Sequence, residues 1–240
     1  MSFRKLFIAG CLTLVVLSSV SAQTDSVTRL FIQRGNAKVA KQQYEAAIKE
    51  YQRVPETASE NYAQALYNIG VCYYELWRTN EAVTFYQKAV NVRGGQYWRA
   101  SYALGIALED LGRFSEAKDA YRQAAENAGL KEGLAHYKLG LLSAKESNHA
   151  AAATLFREAI LRSDGKFPAG HNNLGVMLAQ DGRFAEADRE FQIALDQSGG
   201  SFEDAAYNLK LCRQLMSARA SLAGATLKVT ANAALERTRR

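Results

Sequence analysis

From Tyr102 onward the apolar residues Leu104, Ala107, Leu108 and Leu111 recur at the three- and four-residue spacing of one helical face. Gly112 breaks that pattern. A second one opens after Ser115, with Ala117, Tyr121, Ala124 and Ala125 on its apolar side. The stretch reads as two amphipathic helices joined by a short turn. Ser115 is expected to cap the second helix and Gly129 to stop it, as Gly94, Gly165 and Gly199 do elsewhere. The same pattern is written five times. Gly35, Gly70, Gly105, Gly140 and Gly175 follow one another at a step of 35 residues. Ala47, Ala82, Ala117, Ala152 and Ala187 keep that step, as do Tyr51, Tyr86, Tyr121, Phe156 and Phe191. Units that repeat at this period bury their apolar faces against their neighbours and form one quasi-linear body.

Small residues at fixed slots imply close approach of the paired helices. The expectation is that each glycine faces the alanine slot across the pair, with Tyr44, Phe114 and Phe184 plugging the gap beside them in their copies. A sixth first helix follows from Phe202 to Met216, with Ala206-Tyr207-Asn208-Leu209 in register. Lys210 stands there in the glycine slot, so this helix is read as a cap that ends the array.

These residues resemble the tetratricopeptide repeat. Ile69-Gly70, Leu104-Gly105, Leu139-Gly140 and Leu174-Gly175 match the family's Leu-Gly pair, and the alanine and aromatic slots follow in order. The opening Trp of the family is replaced by Phe31, Leu66, Ser101, His136 and His171, and its closing Pro mainly by glycine. His149 takes the second-helix aromatic slot of the fourth copy. The resemblance implies an all-α, right-handed superhelical α-solenoid. It has five helix pairs at about 28–61, 63–96, 98–131, 133–166 and 168–201 and a cap helix at 202–216, within a solenoid spanning 23–216. Residues 217–240 form a basic, alanine-rich tail, expected to be partly helical or disordered.

The resemblance also implies that the first helices line a concave inner face. Three residues before each glycine one inward slot holds Ile32, Tyr67, Tyr102, Tyr137, Asn172 and Tyr207. The next slot holds Gln33, Asn68, Ala103, Lys138, Asn173 and Asn208, and Asn36 and Arg99 lie on the same side in the first and third copies. The candidate peptide-binding groove is therefore Asn36, Tyr67, Asn68, Arg99, Tyr102, Tyr137, Lys138, Asn172, Asn173, Tyr207 and Asn208. Tyrosines offer rigid apolar area with a polar tip. Side-chain amides match the N–H and C=O of an extended peptide. One family variant grips a C-terminal carboxylate through five positions that correspond to Ile32, Asn36, Asn68, Arg99 and Ala103. Ile32 and Ala103 leave two cations missing, so no carboxylate clamp is expected.

Composition changes this picture mainly at the two ends. Arg4 and Lys5 precede a mostly apolar run from Leu6 to Leu17, followed by the small residues Val20-Ser21-Ala22. Twelve residues of helix span about 18 Å, short of a hydrocarbon core of about 30 Å. Residues 1–22 are read as a secretory signal peptide cut after Ala22. The expected location is periplasmic or secreted. An outer-membrane lipoprotein through Cys11, in the lipobox-like Ile8-Ala9-Gly10-Cys11, is the alternative. The formal charge of +6 sits at the termini: residues 210–240 hold seven Lys or Arg against Glu236 alone. The repeat body lacks the basic stripe of a nucleic-acid surface, so no nucleic-acid partner is expected. Membrane association would come only through the tail or lipidation.

Candidate chemistry is sparse. Cys72 and Cys212 share an apolar interior slot four repeats apart and are expected to be buried free thiols. His136 and His171 share a slot in successive copies without a metal-ligand spacing, and the expectation is packing. There is no phosphate loop, no nucleophile elbow and no credible triad, and Glu109-Asp110 reads as solvated charge. No enzyme activity, cofactor or metal is expected. The reading is a non-enzymatic scaffold or adaptor of the cell envelope that binds a protein or peptide segment in its groove. The alternatives are a membrane-associated envelope or secretion assembly factor, and a self-assembling homo-oligomer in which the tail of one chain enters the groove of another.

Overall fold

A computed structural model describes residues 25–128, 133–218 and 226–230. The expected signal segment, Gly129 and most of the tail lie outside them. The fold is an all-α helical solenoid; among the described residues there is no strand. None of their helices is long and apolar enough to cross a membrane.

The chain packs as two compact units, one up to Arg113 and one from Phe114. The first contains α1 (25–39), α2 (Tyr44–Tyr51), a 3-10 turn (Glu56–Ala58), α3 (Ser59–Glu75), α4 (Thr79–Val92) and α5 (Trp98–Asp110). The second contains α6 (Phe114–Asn127), α7 (Leu134–Lys145), α8 (His149–Leu161), α9 (Pro168–Gln180), α10 (Phe184–Gln197) and α11 (Glu203–Ala218), followed by residues 226–230 in non-helical conformation. Two helices thus occupy each 35-residue step, and α11 stands as the sixth first helix. Within each unit successive helices pack on one another, most closely α3 on α4, α7 on α8 and α9 on α10. In the second unit α11 also reaches back to α9, so first helices of successive copies lie side by side.

The glycine step has a different partner from the alanine slot. A Cβ added at Gly70 would lie 2.6 Å from the ring of Tyr86; at Gly140, 2.7 Å from Phe156; at Gly175, 2.7 Å from Phe191. Gly35 meets Tyr51 in the same way. Each ring is on the second helix of the pair and essentially buried. Burying each such side chain is worth about 1.5–3 kcal/mol, and only glycine leaves room for it. Tyr44 and Phe184 pack at the edges of the cores as expected. Phe114 does not. Although it starts its helix as Tyr44 and Phe184 start theirs, it faces outward: it is 38% exposed, and Lys145 Nζ sits 3.8 Å above its ring.

The turn that ends the first helix of each copy closes the same way. Residues 42, 77, 112, 147 and 182 all have left-handed backbone, with φ of 56°, 60°, 72°, 61° and 76°. The next residue's N–H then bonds a carbonyl five positions back, as Arg113 does to Leu108 (2.8 Å) and Asn148 to Ser143 (2.9 Å). This is a Schellman closure of the first helix. Ser115 falls inside α6 instead of ahead of it. In α8 Asn148 takes the cap role, its Oδ1 accepting from Ala151 N at 3.2 Å.

Candidate functional site

The second unit brings three asparagines to one surface. Asn172 and Asn173 are neighbours in α9, and Asn208 lies on α11. Their amides form a row. Asn208 Nδ2 donates to Asn172 Oδ1 (2.9 Å), Asn172 Nδ2 to Asn173 Oδ1 (3.2 Å), and Asn173 Nδ2 to the hydroxyl of Tyr137 on α7 (3.1 Å). All four side chains are fully buried. Polar groups buried without partners would cost on the order of 1–3 kcal/mol each, so what covers them matters.

They are covered by residues 226–230. Lys228 N donates to Asn208 Oδ1 (2.8 Å), and Asn208 Nδ2 donates back to Lys228 O (2.8 Å). Two residues on the pairing is repeated: Thr230 N donates to Asn173 Oδ1 (2.7 Å), and Asn173 Nδ2 to Thr230 O (2.9 Å). Asn172 Nδ2 donates to Lys228 O at 3.1 Å, and the Tyr137 hydroxyl donates to Thr230 O. Asn208 and Asn173 thus act toward the segment as an adjacent strand would, each offering one donor and one acceptor, whereas Asn172 only donates to it. The two-residue step between paired positions is the period of an extended chain.

Side chains add a second layer. Asp204 on α11 accepts from the Thr230 hydroxyl (3.0 Å) and lies 3.9 Å from Lys228 Nζ. That ammonium stands 4.8 Å from the centre of the Tyr207 ring. Asn172 Nδ2 donates to Thr230 Oγ1 (3.1 Å). Leu227 packs against the apolar core of the unit, whereas Val229 is 40% exposed.

The first unit arranges its candidates differently. Asn36 and Asn68 meet, Asn68 Nδ2 lying 3.4 Å from Asn36 Oδ1. The same oxygen accepts from the Tyr51 hydroxyl at 2.7 Å. Tyr67 is half-buried between the rings of Tyr86 and Tyr97, with centroids 5.8 and 5.6 Å away. Burial raises its phenol pKa, and nearby Arg99 opposes the rise. Arg99 is exposed with its guanidinium 5.2 Å from the Trp98 ring. Tyr102 is buried. In the second unit Lys138 is buried and Tyr207 is 44% exposed.

Asp204 and the segment 226–230 are absent from the sequence-derived site. The available signal was compositional: Thr226, Val229 and Thr230 are β-branched residues in a tail otherwise rich in alanine.

Other candidate chemistry is structural. His171 is held on both ring nitrogens, by Glu190 Oε2 (2.7 Å) and Gly165 O (3.1 Å). Burial lowers the pKa of His136, with the Arg162 charge acting in the same direction. No group of three His, Cys, Asp or Glu able to hold a metal occurs among the described residues. Cys72 and Cys212 are buried and free; burial pushes their thiols up to about 12 and about 11.

Two family models, both described as tetratricopeptide repeat, match residues 29–94 and 102–168, together more than half of the chain. Similar solved structures include MamA, at 25% identity and a TM-score of 0.60, covering 69% of this chain and 94% of that one. PilF of Pseudomonas aeruginosa is 18% identical with a TM-score of 0.66, over 82% of this chain and 87% of its own. YrrB, described as a tetratricopeptide protein with an unusual peptide-binding site, is 20% identical with a TM-score of 0.58, over 84% and 97%. No curated protein sequence matches the chain.

Proposed function

We propose, for a chain that belongs to the tetratricopeptide-repeat family, that it is a non-enzymatic scaffold of the cell envelope whose groove holds an extended segment of a partner protein. One observation carries this reading: Asn173 and Asn208 each bond both the N–H and the C=O of a residue in an extended segment, with Asn172 and Tyr137 completing the row. Such a row recognises backbone, which every partner possesses, and leaves selection to the flanking side chains. The peptide-binding description of YrrB fits this reading. The envelope location rests on the signal-like residues 1–22.

The test is affinity capture from envelope extracts with residues 23–240, compared with the Asn172→Ala, Asn173→Ala, Asn208→Ala triple variant after circular dichroism shows equal helicity. The expected result is loss of the captured partner from the triple variant. Identical capture by both proteins removes this groove from the function. Release of the chain by osmotic shock tests the location.

A second reading is favoured by the tail itself. A segment that fits the groove of its own chain also fits the groove of another copy, which would make the protein a self-assembling scaffold. A tail-dependent rise in mass with concentration, measured by sedimentation, is the result expected for that reading.

A further inference from the structure

We infer that residues 226–230 are a tethered occupant of the second unit's groove, and that the segment they stand in for is an extended peptide carrying a cation and, two residues later, a hydroxyl. This rests on the groove reading above and specifies its ligand.

The occupant meets the site in three ways. Its backbone closes two-point pairings at Lys228 and Thr230, which are blind to sequence. Its side chains meet groups that are not blind. Asp204 faces both the Lys228 ammonium and the Thr230 hydroxyl, so one carboxylate reads two positions. The Tyr207 ring lies against the same ammonium. The hydroxyl of Thr230 is bonded from both sides, donating to Asp204 and accepting from Asn172. Leu227 lies on apolar core, and Val229 is exposed, so the position before the cation prefers an apolar residue and the one after it is free. The pattern selected is apolar, Lys or Arg, any residue, Thr or Ser. An acidic or purely apolar segment would leave the buried asparagines served but Asp204 without its cation.

Tethering sets the competition. Seven residues, 219–225, separate the end of α11 from the segment. Short linkers give effective concentrations on the order of millimolar. If the free segment's own dissociation constant for the groove is about 0.1 mM, a competing peptide of any affinity binds the intact chain about tenfold more weakly than a chain whose tail is released.

The experiment uses the full chain and a Lys228→Pro, Thr230→Pro variant, because proline removes the two N–H groups that Asn208 and Asn173 accept. The probe is fluorescently labelled acetyl-Thr-Leu-Lys-Val-Thr-amide, read by anisotropy. The expected result is binding about tenfold tighter to the proline variant than to the unsubstituted chain. On the proline variant, a probe with Lys replaced by Glu or Thr by Val should lose most of its affinity. Equal probe affinity for the two proteins overturns tethered occupancy. Equal binding of the Glu and Lys probes overturns the ligand pattern. A dimer that forms with rising concentration and disappears in the proline variant overturns occupancy within one chain in favour of exchange between chains. If the released groove takes none of these probes while partner capture still depends on the three asparagines, this inference falls and the groove reading stands. Capture that ignores those asparagines removes the groove reading itself.

Discussion

An asparagine side chain carries a carbonyl and an NH2 on one planar group, the same pair of functions as a peptide unit. That identity explains why Asn173 and Asn208 each accept from one N–H and donate to the C=O of the same residue. The glycine slot follows an equally local logic. A methyl at Gly175 would stand 2.7 Å from the ring of Phe191, which is fully buried and has no room to withdraw. Gly175→Ala gains about 1 kcal/mol of helix propensity against an overpacking cost of about 1–3 kcal/mol. Net destabilisation is expected in urea unfolding, and Phe191→Leu in the same chain should relieve part of it. The glycine slot itself was legible from its recurrence. Its partner was not, because periodicity shows that two slots are coupled without showing which atoms meet.

At the scale of the helix pair, the turn position 42, 77, 112, 147, 182 adopts left-handed backbone whatever residue fills it. Gly112 and Gly182 suit that conformation, whereas Trp77 and Ser147 hold it at a cost of about 1–2 kcal/mol. Replacing either with glycine also adds about 0.4–1 kcal/mol of unfolded-state entropy. Ser147→Gly should therefore stabilise the chain by about 0.5–1 kcal/mol in denaturant titration, and Trp77→Gly by a similar amount, since Trp77 is 91% exposed and gives up no burial. The helices and their register were readable because each copy repeats the same local signals. Asn172, Asn173 and Asn208 were placed inward by that register. Phe114 was misplaced because an aromatic at a helix start can face either way, and only packing decides. The segment 226–230 was hidden for a different reason. Its hydrogen bonds join it to Asn208, Asn172, Asn173 and Tyr137, between 20 and 93 residues earlier, and local propensity in an alanine-rich tail carries no trace of them.

At the scale of the molecule, the two units use the same repeat for different surfaces. In the first, Asn36 and Asn68 turn toward each other and toward Tyr51, and Tyr67 is wedged between aromatic rings. In the second, the asparagine row is turned toward the tail. The positive charge that appears as a global excess is concentrated beyond residue 210, and one of its members, Lys228, is the side chain that meets Asp204 and Tyr207. Lys228 thus has a role inside the fold.

The claim that the asparagine row reads the backbone of an extended segment is tested most directly by amide hydrogen exchange across residues 226–230 of the full chain. Lys228 and Thr230, whose N–H groups are held by Asn208 and Asn173, should exchange slowly, with Val229 between them faster, and Asn173→Ala with Asn208→Ala should erase the difference. Uniformly fast exchange across the segment, unchanged by those substitutions, would contradict the account.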